Sequence, residues 1–450
     1  MPRTFARSGA LAFWHELPRD GRWLLSTVVV QFFGRGLTLP FTIIYLHEVR
    51  GFTLGTAGTL MGLIAVVGLV VTGPAGTLVD RYGARAVVLT GLVAGIAGLT
   101  LLAFATAPAV AGVALCLFGV QLGVAWPSIN TLVATVVQGD LRQRYYGVNF
   151  ALLNLGVGVG GVVGGFMVDV ERPGTFVAAF LINAATFLAP VVVLLVPLRS
   201  LRGRVERPAT QDGAPAAGYL HILRRPEVLW LTVLSLFASF VGYGQMEGGF
   251  PAFARQASEV STRVIGLAFV VNTVVIVTLQ FWVMNRAKGR RRTRVLVVMA
   301  VIWAVAWGIL GATGLVPGSV AAVAGVLLFH GLFGLGETLL QSALPAITND
   351  MAPDHLRGRY NAVNSGAFQA GTIAGPVVAG FLLEHHLPGA FIAVVVLGCA
   401  ALAAAALMLE RRVSPRVNGT ALATAPATTP ATTPATTPAT TPAATPGATP

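Results

Sequence analysis

The sequence predicts an all-α membrane protein with twelve transmembrane helices arranged in two six-helix bundles. Three observations support this: the composition, the number of long apolar segments, and the recurrence of one segment in the second half of the chain. Of the 450 residues, 55% are hydrophobic and only 10% are charged, and the mean hydropathy is +0.76. This composition is typical of proteins embedded in a bilayer and excludes a soluble globular protein.

Twelve apolar segments are each long enough to cross a bilayer as a helix, which takes about 20 residues for roughly 30 Å of hydrocarbon. Their lengths and glycine content favour helices over the shorter, alternating strands of a membrane barrel. The segments lie near residues 24–46, 54–78, 86–106, 109–137, 145–168, 174–197, 228–251, 264–284, 295–314, 318–347, 360–383 and 389–409.

The basic residues orient the chain in the membrane. With both termini in the cytoplasm, 25 of the 30 Lys and Arg residues fall in cytoplasmic segments, as the positive-inside rule requires. The net charge of +13 is therefore explained by topology, and nucleic-acid binding is not indicated. Lys288 is the only lysine, and this preference for arginine, with abundant Ala and Gly, points to a GC-rich bacterial genome. We therefore expect the bacterial cytoplasmic (inner) membrane.

A repeated segment indicates that the two halves are built alike. Residues 141–166 and 356–381 align without a gap at an offset of 215 and are identical at 12 of 26 positions. They enter the fifth and eleventh segments in the same direction, which indicates a parallel duplication. The predicted regions are a cytoplasmic N-terminal segment (1–23), two six-helix bundles (24–197 and 228–410), a cytoplasmic linker (198–227) and a disordered Ala/Thr/Pro-rich cytoplasmic tail (411–450).

A short charged loop between the second and third segments carries Gly76, Asp80, Arg81, Gly83 and Arg85. With the twelve segments and the midpoint linker, this loop resembles the major facilitator superfamily (MFS), whose signature there is close to Gly-x-Leu-Ala-Asp-Arg-x-Gly-Arg-Arg. The resemblance implies that Asp80, Arg81 and Arg85 form a cytoplasmic gate between the bundles. The counterpart loop of the second half, residues 285–290, has Asn285 where the Asp would stand.

Small residues at four-residue spacing form a helix-packing motif in the fifth and eleventh segments: Gly156, Gly160, Gly164, Gly165, Gly371, Gly375, Pro376 and Gly380. The motif resembles that of the drug:proton antiporters of the same superfamily, although Gly161 replaces its proline in the fifth segment. Such residues let helix backbones approach closely, and we expect the two segments to pack between the halves. Residues 109–137 lack the arginine that many such antiporters keep, so proton handling through it is not available here.

Four ionisable residues lie within the apolar segments: Arg35, Glu247, Glu337 and His330. A charge at the bilayer centre costs about 2.5–3.5 kcal/mol, so it normally faces a cavity or a partner. We predict that Arg35 is a fixed cation in the central cavity and that Glu247 or Glu337 gains and loses a proton. A static Arg35–Glu247 pair that fixes helix packing is the alternative, and His330 is more often a packed residue than a proton relay.

These observations predict a secondary active transporter that moves a small molecule by alternating access, and favour a proton-coupled exporter of a drug or metabolite. A proton-coupled importer or uniporter of a sugar, peptide or organic anion is one alternative, and a non-transporting receptor or scaffold is another. The sequence contains no zinc-peptidase, serine-hydrolase or Walker A pattern, so no enzyme activity, metal or cofactor is predicted. The expected partners are the substrate, protons and the lipid bilayer, and the resemblance implies a monomer.

Overall fold

The computed structural model describes residues 10–201, 203, 223–287, 289–352 and 357–420. Twelve helices in these ranges are long and apolar enough to cross a membrane, which confirms the predicted fold class. A short helix, Ala10–Glu16, precedes them. We number the twelve helices α1 to α12: Arg19–Val49, Leu54–Tyr82, Ala84–Ala103, Pro108–Val136, Gly139–Met167, Pro173–Leu195, Pro226–Gln256, Thr262–Ala287, Arg292–Thr313, Val320–Met351, Arg357–Glu384 and Pro388–Glu410.

Proline and glycine mark several of the helix boundaries. Gly83 adopts a φ of +87°, which allows the chain to leave α2 and enter α3 without a longer loop. Because α1 begins at Arg19, it includes part of the segment predicted to be an N-terminal extension. Four helices begin with proline, whose missing N–H has no partner in the first turn of a helix: Pro108, Pro173, Pro226 and Pro388.

The two bundles have the same internal packing. In the first bundle, α1 packs against α5 and α6, α4 packs against α2 and α3, and α3 packs against α6. Each of these pairs has a counterpart six helices later in the second bundle. The bundles contact each other through two pairs of helices, α2 with α11 and α5 with α8. The two pairs are equivalent, because α2 corresponds to α8 and α5 corresponds to α11 in the two halves. This arrangement agrees with a duplication of a six-helix unit.

Buried aromatic side chains anchor the helices inside each bundle. In the second bundle, the ring of Trp303 stacks on Phe333 at 4.8 Å, and its indole N–H donates to the Phe333 carbonyl over 3.0 Å. In the first bundle, the hydroxyl of Tyr45 donates to the carbonyls of Leu102 and Ala103. Each contact satisfies a polar atom at the edge of a large apolar ring, which fixes the helices relative to one another.

Ordered structure continues past α12 into the segment predicted to be a disordered tail. The side chain of Asn418 accepts hydrogen bonds from the backbone N–H and the hydroxyl of Thr293, at 3.0 and 3.1 Å. Asn418 is 5% exposed. Residues 411–420 therefore pack against the start of α9, whereas residues 421–450 lie outside the described part of the chain, as does most of the predicted linker.

The bundles touch at one end of the molecule and separate at the other. In α2, Gly58 lies against α11, whereas a Cβ atom added to Gly73 or Gly76 would have no neighbour within 4 Å in the described part of the chain. In α5, Gly165 lies against α8, whereas a Cβ added to Gly147 would likewise meet no described residue within 4 Å. We call the end where α1 and α7 finish the closed end, and the opposite end the open end.

Candidate functional site

A cavity of about 280 Å³ lies inside the first bundle, between α1, α3, α4, α5 and α6. Its walls are mostly apolar, and Gln31, Gln121 and Asn149 contribute amide groups. Of the described residues that line it, Arg35 alone is charged. An apolar wall with a few polar groups is typical of sites that bind small organic molecules.

Arg35 at this cavity forms an ion pair with Glu247 of α7, which joins the two bundles. Arg35 Nη2 donates to Glu247 Oε1 over 3.0 Å, and the side chains are 27% and 31% exposed. Both residues also line a smaller cavity of about 30 Å³. The structure thus brings together the two residues predicted to share the central cavity. An ion pair this exposed contributes about 1 kcal/mol or less, so it can open during a conformational change.

A second ion pair, between Glu48 of α1 and Arg255 of α7, joins the bundles at the closed end. Arg255 donates from Nε and Nη2 to the two carboxylate oxygens of Glu48, at 2.9 and 2.6 Å. Its Nη1 donates to the carbonyl of Val260 over 3.0 Å. This two-pronged geometry is stronger than a single contact. The sequence did not indicate this pair, because both residues lie near helix ends, where charges are common and need no partner in the membrane.

The backbone of α1 and α7 departs from α geometry where these charges lie. Tyr45–Val49 and Gln245–Gly249 are π-helical segments, one in each helix, and they contain Glu48 and Glu247 respectively. Single π-helical turns are often found at functional sites because the wider turn changes the direction of the side chains. The two helices that open the two halves therefore each carry a π-helical segment, in the last turn of α1 and about two turns before the end of α7.

Glu337 of α10 lies in a different environment, within the second bundle. It is half-buried, and one carboxylate oxygen accepts a hydrogen bond from Asn272 Nδ2 at 3.0 Å. Tyr243 also hydrogen-bonds to Glu337 and accepts a bond from the Gln341 amide over 3.1 Å. Among the described residues, no basic side chain forms an ion pair with Glu337. Its hydrogen-bond partners are thus uncharged, unlike the partner of Glu247.

His330 is fully buried among aromatic rings. Its ring centroid lies 4.2 Å from that of Phe250, 4.8 Å from Phe269 and 5.1 Å from Phe329. Neither ring nitrogen has a hydrogen-bond partner among the residues that the structure describes. His330 and Glu337 are seven residues apart on α10, about 10 Å along the helix axis. The structure therefore places His330 in the packed interior, with no hydrogen bond to Glu337.

The loop predicted to form the gate lies at the open end. Gly83 reverses the chain there, and an added Cβ on Gly76 would have no neighbour within 4 Å. The side chain of Asp80, the central residue of the predicted gate, lies outside the described part of the structure. Its role therefore stays a prediction.

The two arginines of this loop make contacts near their own helices. Arg85 Nε donates to the carbonyl of Leu194 in α6 over 2.7 Å, which is a contact within the first bundle. The guanidinium carbon of Arg81 lies 5.3 Å from the centre of the Tyr82 ring. In this conformation Arg85 therefore fixes α3 against α6, and its hydrogen bond does not cross to the second bundle.

One face of the glycine motif packs inside each bundle. The α5 glycines of this face lie against the backbone of α1, and the α11 glycines lie against α7. Their residues are Gly156, Gly160 and Gly164 in α5, and Gly371 and Gly375 in α11. These five glycines hold helices of the same bundle together, which differs from the expected position between the halves.

The neighbouring face of the same motif connects the two bundles. Gly165 lies against Gly266 of α8, and Gly380 lies against Gly58 of α2. The carbonyl of Pro376 also lies against Gly58, whereas its ring packs on Gly248 of α7 within the second bundle. The motif therefore has two functions on adjacent faces: cohesion of each bundle and close contact between bundles.

The two six-helix bundles have the same internal packing, touch at one end, separate at the other, and enclose charged and polar side chains. This architecture defines a membrane carrier. The chain belongs to the Major Facilitator Superfamily, because the model of that family matches residues 24–332 and 259–443. It is therefore a membrane transporter and not an enzyme, as the sequence predicted.

The relatives of this chain include two proteins named for drug resistance. Multidrug resistance protein 2 of Bacillus subtilis is 23% identical over 376 residues, covering 82% of this chain and 90% of the relative. The quinolone resistance protein NorA of Staphylococcus aureus is 20% identical over 366 residues, covering 81% and 90%. YqjV, an uncharacterised transporter of Bacillus subtilis, is 22% identical over 362 residues, covering 79% and 85%.

Solved structures share the fold. A POT family transporter in complex with 5-aminolevulinic acid superposes with a TM-score of 0.74 at 14% identity, covering 89% of this chain and 97% of the other. The nucleoside transporter NupG superposes with a TM-score of 0.70 at 13% identity, covering 87% and 100%. At these identities the likeness establishes a common fold and does not indicate a common substrate.

Proposed function

We propose that the protein is a proton-coupled exporter of small organic molecules and that this structure represents its state open to the cytoplasm. The orientation follows from charge: the open end carries the arginine-rich loops, and basic loops face the cytoplasm. The closed end, with the Glu48–Arg255 pair, then faces outward. We also propose that the protein is a monomer in the bacterial inner membrane, with both of its termini in the cytoplasm.

The environment of Glu337 is the observation that supports proton coupling. Its carboxyl group is half-buried, and its hydrogen-bond partners Asn272 and Tyr243 are uncharged. A carboxyl group without a basic partner can be neutral or ionised, depending on how much water reaches it. When the bundles move, water access to Glu337 changes, and the residue can take up a proton on one side and release it on the other. Glu247, by contrast, forms an ion pair with Arg35.

Export is supported by the two relatives named for drug resistance, because removal of a drug from the cell is a direct way for a transporter to confer resistance. The transport cycle would be alternating access, in which the bundles rock around a site near the middle of the membrane. The contacts of α2 with α11 and of α5 with α8 would form at the closed end in this state and loosen as that end opens.

Arg35 favours a substrate that carries an anionic group on an apolar body. Its guanidinium has five N–H donors, and only one of them donates to a described residue. A carboxylate in the 280 Å³ cavity could accept the others while its apolar part contacts the surrounding wall. A membrane potential with a negative interior then favours export of the anion by about 2.3 kcal/mol per charge at 100 mV. Uniport of an organic anion is the second candidate function that this observation supports.

The proposal is tested by proton release from the purified protein on adding 2-naphthoate, 2-naphthamide or 2-naphthylmethylammonium, a set that shares one ring and differs in charge. We expect release with wild type and Glu171→Gln, whose carboxylate lies in an exposed loop, and none with Glu337→Gln. Binding of a compound to wild type without proton release would overturn proton coupling and leave the uniporter. Release that persists in Glu337→Gln would exclude this residue as the coupling site.

A further inference from the structure

A basic cleft lies on the second bundle, between α8, α9 and α10 near the open end. It has a volume of about 490 Å³, and four arginines line it: Arg286, Arg290, Arg291 and Arg294. Its remaining wall is apolar and includes Val298 of α9 and Trp282 of α8. These two side chains are 52% and 57% exposed although they belong to membrane-spanning helices, and α9 packs against α10 and α12. The cleft is therefore open to the lipid.

The positive charge of the cleft is only partly neutralised. Glu410 pairs with both Arg291 and Arg294 at 2.6 Å, so one carboxylate serves two guanidinium groups. Arg286 lies over the ring of Trp282 at 5.7 Å. Neither Arg286 nor Arg290 forms an ion pair with a described residue, and the described residues that line the cleft include no Asp or Glu. An excess of cationic groups beside an apolar wall suits a ligand with an anionic head and an apolar body.

We propose that this cleft binds an anionic phospholipid, with its phosphate held by Arg286 and Arg290 and an acyl chain along Val298. Guanidinium groups bind phosphate oxygens through paired hydrogen bonds, and basic pockets between membrane helices are suited to anionic lipid headgroups. A free phosphate would satisfy the arginines and leave the apolar wall without a partner, which favours the lipid. The loop of Arg286 and Arg290 is the counterpart of the gate loop, with Asn285 at the position of its Asp.

The test measures fluorescence quenching of Trp282 in the full-length protein reconstituted in vesicles. Brominated phosphatidylglycerol or brominated phosphatidylcholine replaces part of the lipid, and the signal lost in Trp282→Phe isolates this residue from the other tryptophans. We expect half-maximal quenching at a mole fraction of phosphatidylglycerol about tenfold lower than that of phosphatidylcholine. The reason is that arginines near the bilayer surface attract the anionic headgroup of phosphatidylglycerol more strongly than the net-neutral headgroup of phosphatidylcholine.

The double variant Arg286→Gln/Arg290→Gln should lose the preference for phosphatidylglycerol. Arg411→Gln/Arg412→Gln, which removes two exposed arginines at the same end, should keep it. Equal quenching by the two lipids in wild type, or a preference that survives in the double variant, would overturn the proposal. Millimolar inorganic phosphate, compared with chloride at equal ionic strength, should leave the quenching unchanged. Displacement of the brominated lipid by phosphate would assign the cleft to a soluble anion instead.

Discussion

Gly165 of α5 and Gly266 of α8 approach so closely that a Cβ atom added to either would lie 2.9 Å from the Cα atom of the other. Gly58 of α2 and Gly380 of α11 show the same relationship at 3.2 Å. Gly165 and Gly380 occupy the same position of the repeated segment. Contact between the bundles at the closed end therefore depends on four glycines. The Gly165–Gly266 contact and the Gly58–Gly380 contact are equivalent in the two halves of the duplication.

Replacing Gly165 by leucine should shift the transporter away from this conformation, in which the bundles are in contact at the closed end. The added side chain would collide with the backbone of α8, and overpacking of this kind costs about 1–3 kcal/mol. We expect Ala252→Cys, at a position that is only 5% exposed at the closed end, to react with a membrane-impermeant maleimide about tenfold faster or more in Gly165→Leu, with Cys116 and Cys399 replaced by serine.

Gly308→Leu is the matched control for this experiment, because a Cβ atom at Gly308 would have no neighbour within 4 Å among the described residues. It should leave the labelling rate of Ala252→Cys unchanged. An equal rate in Gly165→Leu and Gly308→Leu would show that the α5–α8 contact does not hold the closed end together.

Breaking the Glu48–Arg255 pair should open the same end by an electrostatic route. Arg255→Gln leaves the half-buried carboxylate of Glu48 without its two-pronged contact, which is stronger than a single charged hydrogen bond. We expect faster maleimide labelling of Ala252→Cys and a lower transport rate. The charge-reversed pair Glu48→Arg/Arg255→Glu should restore part of both. Failure of the reversed pair to improve on Arg255→Gln, in protein that folds, would contradict a gating function for this pair.

The hydropathy pattern was sufficient to predict the fold, because each span must satisfy its backbone hydrogen bonds internally and is therefore helical. It also indicated that Arg35 and Glu247 need a cavity or a partner, since isolated charges within spans are costly, but their expected position at the central cavity was implied by the resemblance to the superfamily. It could not predict the Glu48–Arg255 pair, because both residues lie near helix ends, where a charge can reach water and needs no partner. Nor could four-residue spacing distinguish the glycine face that packs inside a bundle from the face that connects the two.

Removing the charge of Arg35 should change which compounds bind. If the cavity accepts an anionic group at this residue, Arg35→Gln should weaken 2-naphthoate binding by about tenfold or more, the effect of losing one hydrogen bond between charged groups. Binding of 2-naphthamide should be unchanged. Glu247→Gln should strengthen 2-naphthoate binding, because the competing carboxylate is gone. Equilibrium dialysis of the solubilised protein measures all three, and equal losses for acid and amide in Arg35→Gln would indicate a purely structural pair.

Replacing His330 by leucine should stabilise the protein and preserve transport. Both imidazole nitrogens are buried among Phe250, Phe269 and Phe329 and have no hydrogen-bond partner in the described part of the chain, and an unpaired buried polar group costs about 1–3 kcal/mol. Leucine is close in volume and has no polar atom, so the thermal unfolding temperature of His330→Leu in detergent should rise. His385→Leu, at an exposed position, should change it little. Loss of proton release in a stable His330→Leu variant would instead identify His330 as a proton relay, because a merely packed histidine has no effect on coupling.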